Sequence, residues 1–169
     1  RWLTGYAALP LERLTMLVLP VDGAATLIVP RLERAPALGS PAAQADLVEV
    51  AAWGETDDPL DLVVEALPLG ASTGRLLLSD HLWAMHTLRL QARLSGATFG
   101  LATEAIAALR SVKDADEIDR LRAAGAAADR VVEAIAGGRL VVRSESDVAR
   151  EVRERLVDVG QERPIGSAA

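Results

Sequence analysis

The sequence predicts an α/β protein, with an α/β sandwich first and an all-helical segment after it. Apolar runs typical of strands alternate with helix-like segments through residues 15–100. An Asp-Gly pair separates the first two of these runs, as it does in β-hairpins. After about Leu109 only helical periodicity remains, so we predict a domain boundary near residues 110–114.

The first strands are predicted at residues 15–20 and 24–29, joined by the turn Val21-Asp22-Gly23. Residues 31–40 are polar and contain Pro36 and Gly39, which favours a short helix followed by a loop. A third strand is expected at residues 47–53.

Two helices are predicted in the remainder of this region. Asp58 is suited to the N-cap and Pro59 to the first turn of a helix that ends near Leu67. After a short strand at residues 75–78, Ser79 and Asp80 can cap a second helix over residues 81–94. One set of residues recurs at helical spacing and indicates one face of this helix: Leu82, Met85, Leu88 (or Arg89) and Ala92. A last strand follows at residues 97–100.

The C-terminal segment reads as two capped helices. Asp114 and Glu117 have the spacing of a capping box, and Gly137-Gly138 ends the first helix. Its predicted stripe consists of Ile118, Leu121, Gly125, Ala128, Val132 and Ile135. Ser144 and Asp147 repeat the cap before a second helix that Gly160 closes. The stripe of this second helix is predicted to be Val148, Val152, Leu156 and Val159.

Composition argues against several classes of function. The formal net charge is −6, aromatic residues are 3% of the chain, and no basic run is present, which is unfavourable for nucleic-acid binding. No apolar run approaches the length that crosses a bilayer. The absence of cysteine excludes disulfides and cysteine–zinc sites, and it is compatible with the cytoplasm. The chain begins at Arg1 without Met and ends without a closing element, which suggests a piece of a longer protein.

The residues alone indicate no active site. The segment from Gly70 to Gly74 precedes a strand, so a turn is favoured over a phosphate loop. His81 and His86 are five residues apart, which places them on different helix faces, and we expect surface or interface positions. Two groups of carboxylates are better explained by helix capping and the helix dipole: Glu55, Asp57 and Asp58, and Asp114, Asp116, Glu117 and Asp119. Neither histidine has a serine in a nucleophile-elbow motif.

Two segments go beyond generic α/β patterning. The pattern Leu-Arg-x-x-Lys-Asp-x-x-Glu-Ile-x-x-Leu-Arg-x-Ala begins at Leu109 and contains Lys113, the chain's only lysine. It resembles the entrance to the catalytic domain of the pita-bread metallopeptidases, which include prolidase (Xaa-Pro dipeptidase), Xaa-Pro aminopeptidase and creatinase. The opening run Trp2-Leu3-Thr4-Gly5-Tyr6, with the two strands after it, resembles the creatinase-type N-terminal domain of the same family.

The resemblance implies a mixed β-sheet flanked by helices over residues 1–110, a creatinase-type N-terminal domain lacking its first elements. Residues 111–169 would be the linker and the truncated start of the pita-bread α+β domain. It also implies a cytoplasmic, homodimeric Xaa-Pro dipeptidase that acts on Xaa-Pro substrates with two divalent metal ions, Mn²⁺ or Co²⁺. The family's metal ligands lie downstream, so no catalytic or metal residue is assigned, and this chain alone is expected to be inactive.

Trp53 is the one candidate substrate-binding residue. It follows the third predicted strand and resembles a tryptophan that, in family dimers, lines the active-site mouth of the other subunit; a Trp packed at a strand end is the alternative. His81, Trp83 and His86 are weaker candidates. Two other functions stay open: a creatinase-like C–N hydrolase, and a non-catalytic domain for dimerisation or binding.

Overall fold

The computed structural model describes residues 1–8, 12–138 and 140–160, and the chain divides into two compact units, Arg1–Ala107 and Ala108–Ala169. The strands are β1 (Met16–Val18), β2 (Ala25–Pro30), β3 (Val48–Trp53), β4 (Arg75–Leu78) and β5 (Thr98–Leu101). The helices are α1 (Arg34–Leu38), α2 (Pro41–Gln44), α3 (Pro59–Glu65), α4 (Ala84–Arg93), α5 (Thr103–Ser111), α6 (Ala115–Ala136) and α7 (Glu145–Asp158). Single 3₁₀ turns precede α1 and β4.

The first unit contains two small sheets, which confirms the predicted α/β class. In the first sheet β2 is central, with β1 antiparallel on one side and β3 parallel on the other. The second sheet pairs β4 with β5 in parallel. All five strands lie where the apolar runs predicted them; β4 has the predicted ends, and the ends of the others differ by at most two residues. The hairpin between β1 and β2 includes Gly23, whose φ of 114° suits glycine.

β2 is buried on both faces, so the first unit has two apolar clusters. Alternate side chains of a strand point to opposite faces, and Ile28 therefore enters one cluster while Leu27 and Val29 enter the other. The larger cluster joins the sheet to helices α3 and α4: Leu14, Val18, Ile28, Leu60, Val63, Leu90 and Leu94. The smaller consists of Tyr6, Leu27, Val29 and Ala37.

The opening motif packs on α2, a helix in the segment where the sequence predicts a loop. Gly5 has a φ of 73°, and a Cβ there would lie 2.6 Å from the Pro41 Cδ atom. The amide of Ala42 donates to the Thr4 carbonyl at 3.1 Å, while Ser40 caps α2 through the amide of Ala43. A glycine is thus needed at position 5 for both conformation and space.

Helix α4 departs from the prediction at its start and on its buried face. It begins at Ala84 rather than at residue 81, because the Asp80 carboxylate accepts hydrogen bonds from the amide and hydroxyl of Thr103, at the start of α5. Those bonds hold the pKa of Asp80 below its ordinary value. Met85 and Leu88, on the face that the spacing indicates, are exposed, whereas His86 and Leu90 are buried. Helix α5 itself was not predicted.

The second unit consists of capped helices, as predicted. Asp114 and Glu117 form a complete capping box at α6, and Ser144 caps α7 through the amide of Asp147 at 3.1 Å. The predicted α7 stripe is half-buried throughout, but most of the α6 stripe is exposed; the buried residues of α6 are Ala127 and Val131. At the end of α5, the Lys113 ammonium donates to the carbonyls of Arg110 and Ser111. Residues 161–169 of the predicted second domain lie outside the described ranges.

Candidate functional site

The carboxyl ends of β2 and β3 meet at one edge of the first sheet because the two strands run parallel. Pro30, the last residue of β2, pairs with Trp53, the last residue of β3. Ligands of α/β proteins commonly bind at this edge of a sheet. The last residue of each strand and the two residues after it, together with Arg13, line a concave pocket of about 150 Å³: Pro30, Arg31, Leu32, Trp53, Gly54 and Glu55.

Trp53 is one of the residues that line this pocket, and a hydrogen bond fixes its side chain. Its indole N–H (Nε1) donates to the carbonyl of Leu14 at 3.0 Å, and its ring packs against the larger apolar cluster. The side chain is half-buried, so one part of the ring contributes to the core while another part faces the pocket. Both readings given to Trp53 from the sequence, core packing and a surface that a ligand can touch, are compatible with this position.

Charged groups surround the mouth of the pocket. Arg13 and Glu55 form an ion pair at 2.9 Å. The Arg31 guanidinium lies 4.0 Å from Asp57, whose carboxylate also accepts the Gly54 amide at 2.7 Å. Because a Cβ at position 54 would stand 3.1 Å from the Arg31 Nη2 atom, the glycine leaves the guanidinium room against the backbone.

A second, more open pocket of about 380 Å³ lies beside the first and is lined by Asp57, Asp58 and Asp61 among others. Asp58 caps α3, accepting the Leu60 amide at 3.1 Å as predicted. Asp58 is also paired with Arg89 at 2.6 Å. Arg93 pairs with both Asp58 and Asp61. These carboxylates are therefore engaged in tying α3 to α4. Across the described ranges, no group of three or more His, Asp or Glu side chains could hold a metal ion.

The two histidines do not form a site. His81 lies in the turn before α4, and it is exposed as expected. His86, expected at a surface or an interface, is only 4% exposed within the chain, and its Nε2 lies 3.2 Å from the Glu12 carbonyl. The burial of His86 follows from its place on the core side of α4, which the apolar pattern did not indicate. Trp83, another weak candidate, is 47% exposed at the N-terminus of α4.

The other sequence motifs have structural explanations. The Gly70–Gly74 segment forms a turn around a single 3₁₀ helix, as expected, with Gly70 at a φ of 86°. The carboxylates near residue 114 surround the capped N-terminus of α6. Within the part of the chain that the structure describes, every helix is too short or too polar to cross a bilayer.

Sequence reasoning missed the arginines of the first pocket. Arg31 lies two residues after the strand predicted at residues 24–29. That position would have indicated Arg31 as a site residue if the parallel pairing of β2 and β3 had been known. Arg13 precedes β1 and carries no comparable signal.

Comparison with known proteins adds independent information. The family model described as the creatinase/prolidase N-terminal domain matches residues 1–112. The probable dipeptidase PepE of Mycobacterium tuberculosis is 41% identical over 159 residues, which are 94% of this chain and 41% of that protein. The crystal structure of dipeptidase PepE from Mycobacterium ulcerans matches with a TM-score of 0.78 and 39% identity, over 95% of this chain and 42% of that one. A recombinant prolidase from Thermococcus sibiricus matches with a TM-score of 0.79 and 26% identity, again over 95% and 42%. The chain thus spans well under half the length of these relatives.

Proposed function

Because the chain belongs to the creatinase/prolidase N-terminal domain family, we propose that it is the N-terminal portion of a metal-dependent Xaa-Pro dipeptidase. The observation that carries this proposal is the extent of the similarity. The family model ends at residue 112, yet the 41% identity to a probable dipeptidase extends over 159 residues, which includes most of the second unit. A protein that shared only the N-terminal domain would be expected to lose that identity after α5.

In this proposal residues 1–110 are the N-terminal domain and residues 111–169 open the catalytic domain. Support comes from the two compact units, Arg1–Ala107 and Ala108–Ala169, each of which forms its own internal packing. The capping box of Asp114 and Glu117 starts the first catalytic-domain helix with a fixed N-terminus. The role of the N-terminal domain is then to present the edge of the first sheet, with Trp53 and its pocket, to substrate.

The metal ions of such an enzyme do not fit the residues described here. Two divalent ions, Mn²⁺ or Co²⁺, require a set of carboxylate and imidazole ligands. The described ranges hold no such group, and the Asp58 and Asp61 carboxylates beside the second pocket are paired with arginines. We therefore assign the metal site of the parent enzyme to other residues and expect this chain by itself not to hydrolyse Xaa-Pro peptides.

We further propose that the enzyme is a cytoplasmic homodimer in which Trp53 of one subunit borders the substrate of the other. The absence of cysteine suits a reducing compartment. The half-buried ring of Trp53, fixed by its bond to Leu14, provides a rigid apolar surface at the pocket. Rigid aromatic surfaces of this kind bind ligands at low entropic cost.

The test is hydrolysis by the natural protein that contains this chain. The whole protein, loaded with Mn²⁺ or Co²⁺, is incubated with glycyl-L-proline and, as a control, with dipeptides that lack proline. We expect glycyl-L-proline to be hydrolysed faster than the control dipeptides, and we expect chelation of the metal to stop its hydrolysis. Equal cleavage of all dipeptides would contradict the proline preference but leave a dipeptidase. A folded, metal-loaded protein that cleaves none of them would contradict the proposed function.

The homodimer has its own measurement. Light scattering on the whole protein should give twice the mass of one chain, and a monomeric mass would contradict the dimer without bearing on the chemistry. A Trp53→Phe enzyme should then show a raised KM with little change in kcat, whereas Trp83→Phe, the matched control, should leave both unchanged.

A further inference from the structure

The connection between β1 and β2 contains the chain's one Asp-Gly pair, Asp22-Gly23. Every other aspartate precedes a residue that has a side chain, and the sequence contains no asparagine. The paired residues that flank this connection end at Val18 and Thr26, so Asp22 lies midway between them. Asp22 and Gly23 are both exposed. The pair is therefore open to water and lies outside the hydrogen-bonded ladder.

Nothing in the described ranges restrains the Gly23 amide. It donates no hydrogen bond there, and the Asp22 carboxylate has neither a hydrogen bond nor an ion pair. Gly23 has a φ of 114°, and the atom nearest to the position of a Cβ at this residue is the Pro20 Cγ atom, 3.8 Å away. The Gly23 nitrogen can thus turn toward the Asp22 side chain without breaking a hydrogen bond or displacing a neighbour.

Asp46 provides a contrast within the same unit. It is exposed and lies in a turn, with a positive φ of 53°. The amide that follows it, that of Leu47, donates to the Ala42 carbonyl at 2.9 Å. Leu47 also carries a side chain, which crowds the approach of its nitrogen to the Asp46 carboxyl group. Asp22 therefore differs from Asp46 in the freedom of the amide next to it, and not in its exposure.

We propose that Asp22 is a site of spontaneous isomerisation to isoaspartate in the folded protein. The Gly23 nitrogen attacks the Asp22 Cγ atom and forms a C–N bond, and the carboxyl hydroxyl and the amide proton leave together as water. The product is a succinimide ring, which water opens at either of its two carbonyls. Opening at Cγ restores aspartate. Opening at the main-chain carbonyl gives isoaspartate, in which the chain runs through the Asp22 side chain and the former main-chain carbonyl carbon carries the free carboxylate.

The fold accommodates this product. Val18 and Ile28 are buried in the larger apolar cluster, so they fix the register of β1 against β2 independently of the connection between the strands. Isoaspartate adds one backbone carbon to that connection and keeps the negative charge. The open space around Gly23 admits the ring and the longer backbone, so no unfolding has to precede the reaction. The native chain should therefore isomerise about as fast as an unstructured peptide of the same sequence.

The experiment follows Asp22 while the intact chain is incubated at neutral pH and physiological temperature. Trypsin then releases residues 14–31, a fragment in which Asp22 is the sole acidic residue. A protease that cleaves before aspartate but not before isoaspartate separates the two forms, and mass spectrometry quantifies them against a sample that was not incubated. We expect isoaspartate to accumulate at a rate within about threefold of that in a synthetic peptide of residues 14–31, because no local opening limits the reaction.

Leu47→Gly is the matched variant, and far-UV circular dichroism establishes that it is folded. It creates a second Asp-Gly pair at an exposed position, where the amide still faces the Ala42 carbonyl. Asp46 of this variant should isomerise at least about tenfold more slowly than Asp22 in the same molecule, since its neighbouring amide must first leave a hydrogen bond. Equal rates at Asp46 and Asp22 would overturn the inference, and so would a native rate at Asp22 below the stated limit.

Discussion

Trp53→Phe tests how much the indole N–H of Trp53 contributes to the stability of the first unit. The substitution keeps an aromatic ring against the larger apolar cluster but removes the N–H that donates to the Leu14 carbonyl at 3.0 Å. These residues are 39 positions apart, so the bond ties the end of β3 to the segment that leads into β1. Phenylalanine leaves the carbonyl of Leu14 without that donor.

The expected loss of stability follows from these contacts. A hydrogen bond contributes about 0.5–1.5 kcal/mol, and an unpaired buried acceptor costs about 1–3 kcal/mol. Because the bond between the half-buried Trp53 and the buried Leu14 is only partly buried, we expect a loss of about 2 kcal/mol in the free energy of unfolding. For a unit of this size, that corresponds to a fall in Tm of about 10 °C. The control Trp83→Phe changes an indole that is 47% exposed and makes no hydrogen bond in the described part of the chain, so it should cost less than about 0.5 kcal/mol.

Urea denaturation followed by tryptophan fluorescence is the appropriate assay. The chain's three tryptophans, Trp2, Trp53 and Trp83, all belong to the first unit, so the two that remain in each variant report on that unit. Circular dichroism of the same samples adds the helices of the second unit. Equal midpoints and slopes for Trp53→Phe and Trp83→Phe would refute the role given to the Leu14 bond.

Three further predictions concern the core, a cap and a titrating group. Leu60→Ala, at a fully buried position of α3, should cost about 3 kcal/mol, whereas Val64→Ala on the exposed side of the same helix should cost under about 1 kcal/mol; similar urea midpoints would contradict the assignment of the core. Asp114→Ala should cost the α6 helix about 1 kcal/mol, seen as lower helicity on heating, and Asp114→Asn should restore most of it. The pKa of Glu151 lies below its ordinary value because Arg155 hydrogen-bonds the carboxylate, so the resulting stability is present above about pH 4.5 and lost as pH falls through the lowered pKa. Glu151→Gln should flatten that acid dependence in a thermal-melt series, and an unchanged pH profile would contradict the assignment.

Local interactions made part of the fold predictable from sequence. The N-caps at Asp58, Asp114 and Ser144 are all observed, because each cap bonds an amide only two or three residues away. The strands were also located correctly, since a run of apolar residues bounded by turn residues determines a strand with little help from distant contacts.

The buried faces of helices were harder to predict, because the neighbours decide them. In α4 the sequence pattern favoured Met85 and Leu88, yet His86 and Leu90 are buried. A histidine is polar, so a hydrophobic periodicity does not predict that it is buried. In this helix the carbonyl of Glu12 lies close enough to hydrogen-bond the ring of His86. The predicted start of this helix was wrong for the same reason, since Asp80 accepts a hydrogen bond from Thr103, 23 positions later.

The candidate site was predictable only at Trp53. Its place after a strand could be read from sequence, but its surroundings depend on the parallel pairing that brings Arg31 beside Gly54. Whether β2 and β3 run parallel or antiparallel cannot be read from the strand sequences, because the connecting helices α1 and α2 determine it.

Lys113 gives the molecule a chemical handle at the junction of its units. It is the chain's only lysine, so amine-directed reagents can modify one side chain, five residues after Ala108, where the second unit begins. A dye attached there would mark the junction without cysteine engineering. The same acylation would remove the ammonium that bonds the final carbonyls of α5, so the label would also weaken the end of the helix to which it is attached.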